Sequence, residues 1–255
     1  MSRRIHVAGV SKAFDGVAAL DDVGFSLEAG SFTAVVGASG SGKTTMLRLI
    51  AGMLEPTSGS IAIGDQTPDE ARRDKSIGWM AQQPALLPWR TALDNVSLAQ
   101  SISPRPDRAT PPPAALLDMV GMAEFGAAYP LSLSGGMQQR VALARTLAIG
   151  APVWLMDEPF SALDEITREA VADDLLAIWA DLRPTVVWVT HHIPEAVRMA
   201  DRIVLLSPRP GKVAEIIDVA LIRPRNERSA AFQDVVGRAR SVLRLADDRS
   251  LEAAQ

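Results

Sequence analysis

The 255-residue sequence has no cysteine, which excludes disulfides and thiolate metal sites and fits a reducing compartment. It also lacks any run of about 20 consecutive apolar residues, the length a membrane-spanning helix requires. The start, MSRRIHVAGVSKAFDG, is positive, but no apolar signal-peptide stretch follows it. A cytoplasmic chain is expected, neither secreted nor membrane-spanning. An excess of positive charge is missing too: 26 Lys and Arg stand against 30 Asp and Glu, a formal net charge of -4. With no global positive field, nucleic acid is not an expected partner, and any membrane contact must be local. The low hydrophobicity of disordered chains is absent, since 47% of residues are hydrophobic and 22% charged. No internal repeat occurs. The length suits one domain with lobes, near the size at which a second core is expected.

What is present is a succession of short apolar runs. Ile5 to Val10 and Val23 to Leu27 alternate loosely and read as antiparallel strands of an edge sheet. Thr33 to Val36 is a buried-type strand that runs into a glycine-rich turn and then into MLRLIAGML, whose apolar positions recur at helical spacing. Gly59 to Ile63 and Ser76 to Met80 are further short strands. Strand signals then disappear between Pro84 and Gly150, where Ala114 to Met122 and Gln138 to Ile149 read as helices and SPRPDRATPPP as a surface loop. This stretch is predicted to be a helical lobe inserted in the sheet. Val153 to Met156, Thr185 to Val189 and Ile203 to Leu206 are continuous apolar strands alternating with helical pattern, which implies a largely parallel sheet covered on both faces. Phe232, Val235, Val236, Ala239, Val242 and Leu243 mark an amphipathic terminal helix between Glu227 and Asp247.

Gly37-Ala38-Ser39-Gly40-Ser41-Gly42-Lys43-Thr44 matches the phosphate-binding pattern G-x-x-x-x-G-K-[ST] in full. Glycines let backbone amides converge on phosphate oxygens, and the following helix presents its positive N-terminus. Lys43 would neutralise the terminal phosphates, and the Thr44 hydroxyl would reach Mg²⁺. A Gly/Ser turn with a chance lysine is the bland alternative, but the pattern has the strand before it and the helix after it that a phosphate loop needs. Val153-Trp154-Leu155-Met156-Asp157-Glu158 is a buried strand ending in two acids, at the sheet edge where such folds bind ligands. Taken alone, two acids there are more often a solvated helix start. Beside a complete phosphate loop, Asp157 is expected to hold Mg²⁺ through water and Glu158 to orient or deprotonate an attacking water.

Leu133-Ser134-Gly135-Gly136-Met137-Gln138-Gln139-Arg140, followed by VALARTLAI, resembles the signature sequence of ABC ATPases. That resemblance implies an α/β fold: a P-loop NTPase (RecA-like) core, an N-terminal antiparallel β subdomain and an inserted α-helical subdomain. It implies that Ser134, Gly135, Gly136 and Gln138 meet the γ-phosphate of an ATP held by the opposite subunit of a homodimer. Gln82 in MAQQP looks like the Q-loop glutamine that meets Mg²⁺ and water, with Gln83 leaving the register open by one. Ser161-Ala162-Leu163-Asp164 resembles the D-loop, where Asp164 would communicate between the two sites. His191 in Thr190-His191-His192 resembles the switch histidine, with His192 in place of the Asp often found there. Phe14 matches the aromatic that stacks on adenine. The implied ATP contacts are Phe14 and the run Gly37, Ala38, Ser39, Gly40, Ser41, Gly42, Lys43, Thr44 and Thr45.

The resemblance covers Ile5 to about Val219. Residues 1–220 are expected to form the nucleotide-binding domain, with a helical subdomain at about 84–150, and 221–255 a short helical extension. PALLPWRTALDNV and Ser207-Pro208-Arg209-Pro210-Gly211-Lys212-Val213 look like the ATPase subunits of the nitrate, sulfonate and taurine importer group. These act with a solute-binding protein and a homodimeric permease, which implies a peripheral position on the inner face of the membrane. Pro130-Leu131-Ser132 lacks a polar pair often seen before the signature, and the prolines from Pro104 to Pro113 are unusual. The substrate touches only the partners, so nitrate, an organosulfonate, taurine and a thiamine-precursor pyrimidine all stay open. An exporter ATPase would keep the same residues. A DNA-repair type would need a long inserted coiled coil, and a translation-factor type a second cassette; neither is present. Leu86, Leu87 and Trp89, between prolines after Gln82, are expected to include exposed residues that dock on the permease.

Overall fold

The computed structural model describes residues 2–102, 110–161 and 163–252. Most of the SPRPDRATPPP stretch and Ala162 of the D-loop segment lie outside them. Two sheets organise the chain. The first is antiparallel, in the order β2-β1-β4, built from β1 (Ile5–Phe14), β2 (Val17–Leu27) and β4 (Ser58–Ile63). The second joins β5 (Ile77–Met80), β6 (Val153–Asp157), β7 (Thr185–Thr190), β3 (Phe32–Gly37), β8 (Arg202–Leu206) and β9 (Val213–Asp218), in the order β5-β6-β7-β3-β8-β9. It is parallel except for β9, which pairs antiparallel with β8. Every residue of β3, β6 and β7 is buried, as a central parallel strand covered on both faces demands.

The alternation of side chains divides the interior in two. Ala34 and Val36 of β3 point into a core shared with the helices, whereas Val35 points into a second core with the antiparallel sheet. The second core also takes Met46, Leu47, Leu49 and Ile50 of α1 (Lys43–Ile50). The remaining helices are α2 (Pro68–Arg73), α3 (Ala92–Ser101), α4 (Pro113–Met119), α5 (Gly135–Ala148), α6 (Glu165–Leu182), α7 (Ile193–Met199) and α8 (Ala230–Glu252). Between β5 and β6, helices α3, α4 and α5 pack on one another, while β5 and β6 themselves are paired from Ile77↔Val153 to Met80↔Met156. The chain therefore leaves the sheet, builds a helical lobe and re-enters at the adjacent position. Phe232, Val236 and Ala239 bury α8 in the core that also holds α5, α6 and α7.

Several elements depart from the expected pattern. The helix after the phosphate loop starts earlier, at Lys43, and stops at Ile50, so AGML is not helical. Backbone bonds from Gly52 to Leu49 and from Met53 to Arg48 close it as a Schellman-type turn, with Gly52 at φ 65. Two α-helices and a strand were not foreseen: α2, α3 and β9. For α2 the signal was readable, because Thr67 and Glu70 form a reciprocal capping box with Pro68 at the first position. The terminal helix begins three residues later than the expected Glu227 and extends to Glu252.

Candidate nucleotide site

The loop from Gly37 joins the end of β3 to α1, whose first amides lack intrahelical partners. Gly42 caps that helix in the left-handed region at φ 88, and a Cβ there would lie 2.5 Å from the Leu20 side chain, so no larger residue fits. Lys43 folds back along the loop: its buried amine donates to the carbonyls of Gly37 at 2.9 Å and Ala38 at 2.8 Å. Burial pushes the Lys43 pKa down, and the carboxylates of Glu158 and Asp157 oppose that shift.

The carboxyl ends of β5, β6 and β7, neighbours in the sheet, deliver the remaining groups to the same place. Asp157 ends β6, is 5% exposed, and accepts a 3.1 Å hydrogen bond from the Thr44 hydroxyl. Burial pushes its carboxyl pKa up, and the Thr44 hydrogen bond partly offsets this. Glu158 follows at φ 44, a left-handed backbone that costs a non-glycine residue about 1 kcal/mol, and its amide is pinned to the Val189 carbonyl at 2.9 Å. The kink presents the Glu158 carboxylate to both neighbours. Gln82, after β5, donates to Oε2 at 3.4 Å, and His191 Nδ1, after β7, lies 3.2 Å from Oε1.

These groups line one cavity of about 530 Å³ together with Phe14, Ser39, Gly40, Gly42, Lys43, Thr44 and Thr45. Phe14 is 40% exposed, with the Lys12 ammonium 5.2 Å from its ring centroid. Gln82 lines the cavity and Gln83 does not. Gly37, Ala38 and Ser41 do not line the cavity: the carbonyls of the first two hold Lys43, Ala38 is itself exposed, and Ser41 is fully buried. Asp157 acts from behind Thr44.

Ser134, Gly135, Gly136, Gln138 and Asp164 do not border this cavity. Ser134 caps α5, accepting from the Met137 amide at 3.2 Å, and stays exposed with Gly135. The Gln138 amide is turned back on its own chain, donating to the Pro130 and Leu133 carbonyls at 3.0 and 3.1 Å. It braces the turn that presents Ser134. Asp164 caps α6 through the Thr167 amide at 3.0 Å. His192 caps α7: its Nδ1 accepts from the Glu195 amide at 3.3 Å, so that nitrogen carries no proton. Burial and the nearby Arg168 charge lower the His192 pKa and favour the same neutral form.

Three residues escaped the reading of the sequence. Arg209, in the turn between β8 and β9, also lines the cavity. Arg145 of α5 donates to the carbonyls of Pro84 at 2.7 Å and Ala85 at 2.8 Å, fastening the helix that follows the signature to the segment after Gln82. Asn95 is 1% exposed and binds the backbone of Leu87, Arg90 and Thr91. No local pattern announces partners so distant in sequence as Pro84 and Arg145.

The family model described as ABC transporter matches residues 20–161. The nitrate import ATP-binding protein NrtD of Synechococcus elongatus is 41% identical over 221 residues, which cover 85% of this chain and 79% of that protein. The aliphatic sulfonates import ATP-binding protein SsuB of Bacillus cereus is 37% identical over 235 residues, covering 91% of this chain and 92% of that one. Among solved structures, the ATP-binding cassette MJ0796, as a dimer in a post-hydrolysis state with ADP and Pi, superposes with a TM-score of 0.73 at 34% identity, over 86% of this chain and all of that one. The chain belongs to the ABC transporter family, as an ATP-binding cassette that hydrolyses ATP.

Proposed function

We propose that the chain powers an importer for a small anion, nitrate or an aliphatic sulfonate, as a homodimer docked on a separate permease. The observation that carries this reading is the division of the site. Lys43, Thr44, Gln82, Glu158 and His191 converge on one cavity, while the capped start of α5, with Ser134 and Gly135 exposed and Gly136 half-buried, does not line it. That helix start is an anion site without a phosphate of its own, and a second copy closing head to tail supplies one. The dimeric MJ0796 cassette and the names of the importer relatives support the same arrangement. A helix long and apolar enough to cross a membrane is absent among the described residues, in keeping with a separate permease.

Hydrolysis is phosphoryl transfer to water, promoted by positioning and charge neutralisation rather than a covalent intermediate. Lys43 moves from its two carbonyls to the terminal phosphates. Glu158 takes the proton of the attacking water, and His191 and Gln82 hold its carboxylate in place. The buried Asp157 carboxylate, the Thr44 hydroxyl and the Gln82 side chain are hard oxygen donors suited to Mg²⁺, which would neutralise phosphate charge when bound. Among the described residues no group of three His, Cys, Asp or Glu could hold a metal ion, so these donors would bind Mg²⁺ together with the nucleotide rather than alone.

Glu158→Gln should retain ATP affinity, lower kcat by about 100-fold or more, and persist as an ATP-bound dimer on a sizing column. Near-native turnover would remove Glu158 from that role. The transport direction is tested in proteoliposomes with the permease: ATP enclosed in the lumen, on the side of the ATPase subunits, should drive accumulation of nitrate or an alkanesulfonate, and extrusion driven by that ATP would mark an exporter.

A further inference from the structure

The turn from Ser207 to Lys212, which the phosphate chemistry above does not use, is built against the nucleotide cavity. Its two ends are joined by the Ser207 amide donating to the Lys212 carbonyl at 2.9 Å. Gly211 is stitched into the start of β2: its amide donates to the Ala19 carbonyl at 2.9 Å, and its carbonyl accepts from the Asp21 amide at 3.0 Å. A 2.7 Å ion pair between Lys212 and Asp21 adds to the seam. The turn also touches the phosphate loop. A Cβ on Gly211 would fall 2.1 Å from the Ser41 carbonyl oxygen, so only glycine permits this approach.

This fixed turn carries Arg209. Its Nε donates to the Ala18 carbonyl at 3.2 Å, which lays the side chain along the start of β2. Its terminal guanidinium nitrogens have no hydrogen bond or ion pair among the described residues, although Arg209 lines the cavity beside Phe14 and Ala19. Glu158, His191 and Gln82 mark where the terminal phosphate reacts, and Phe14 marks the end that takes the base. Arg209 therefore brings an unpaired, always charged fork to a cavity whose ligand carries its innermost phosphate next to the nucleoside.

We propose that Arg209 is a nucleotide-binding residue that grips the ribose and α-phosphate end of ATP. This rests on reading the cavity as the ATP site. By this assignment Arg209 contributes affinity common to ATP and ADP and takes no part in sensing the γ-phosphate.

The test is calorimetric titration of the full chain with ATP and, separately, ADP, in Arg209→Gln and Arg209→Lys, with Lys43→Ala as a control. Arg209→Gln should weaken both nucleotides by the same factor, about tenfold, the scale of one charge-assisted hydrogen bond. Arg209→Lys keeps the charge without the fork and should recover part of the loss. Because Arg209 is exposed, the thermal midpoint without nucleotide should stay at the wild-type value; if the Gln variant is unstable, the Lys variant carries the test with an intermediate loss. Unchanged affinity for both nucleotides, or a loss confined to ATP, would overturn the proposal while leaving the cavity assignment intact. Unaltered ATP binding in Lys43→Ala would instead bring down the cavity assignment itself.

Discussion

Asp157 sits almost fully buried at the end of β6, with its carboxylate accepting from the Thr44 hydroxyl. Its pKa is raised, chiefly by desolvation, so the fold penalises the charged form relative to the unfolded chain. The stability associated with such a group is present below the unfolded carboxyl pKa and is lost as pH rises through the raised folded value. Asp157→Asn should therefore stabilise the nucleotide-free chain at pH 7 to 8 by roughly 1 kcal/mol, seen as a thermal midpoint about 2–4 °C higher, with the gap narrowing toward pH 4. The same variant should lose Mg²⁺-dependent hydrolysis. A lower midpoint at pH 8 would mean that Lys43 and Arg48 more than compensate the buried charge. Lys43→Ala addresses the opposite charge: ATP affinity should fall by about 100-fold, measured by titration, because two phosphates lose their nearest fixed cation.

On the scale of elements, the segment between β5 and α3 shows what the sequence could and could not disclose. A proline-flanked LLPW run suggested exposed apolar residues, and Trp89 is indeed 70% exposed. Leu86 instead packs against the helical core and Leu87 is half-buried, because Asn95 clamps the Leu87 amide and carbonyl from inside α3. Asn95→Ala should cost about 2–3 kcal/mol by leaving backbone groups unpaired, checked by denaturant unfolding. Trp89→Asp should leave thermal unfolding of the isolated subunit unchanged yet abolish co-purification with the permease; retained co-purification would place docking elsewhere. The phosphate loop, the acidic end of β6 and the α5 cap were legible because each is a contiguous pattern whose neighbours in sequence do the work. Asn95, Arg145 and Arg209 were not, since each is an ordinary polar residue until the fold sets distant carbonyls or a cavity beside it. The edge strand β9 was missed because VAEIID mixes acids into its apolar run and lies beyond Ile203 to Leu206, the last strand expected.

At the level of the molecule, each copy holds both halves of the proposed reaction site but does not bring them together. Ser134→Arg should still bind ATP through its own phosphate loop but fail to close on a partner. Mixed with Lys43→Ala chains it should regain at most about a quarter of wild-type activity, since random pairing makes half the dimers mixed and each retains one intact site. Full recovery would mean that the signature turn does not act across an interface. The exposure of the Ser134 turn also sets a rate law. Below the dimer dissociation constant, hydrolysis should rise with the square of subunit concentration, a slope of about 2 in a logarithmic dilution series. Two subunits tethered to one permease meet at an effective concentration in the millimolar range, so there the order falls to one and turnover per chain is high. Stray copies in the surrounding solution would burn almost no ATP, and no separate inhibitor is needed to keep them idle.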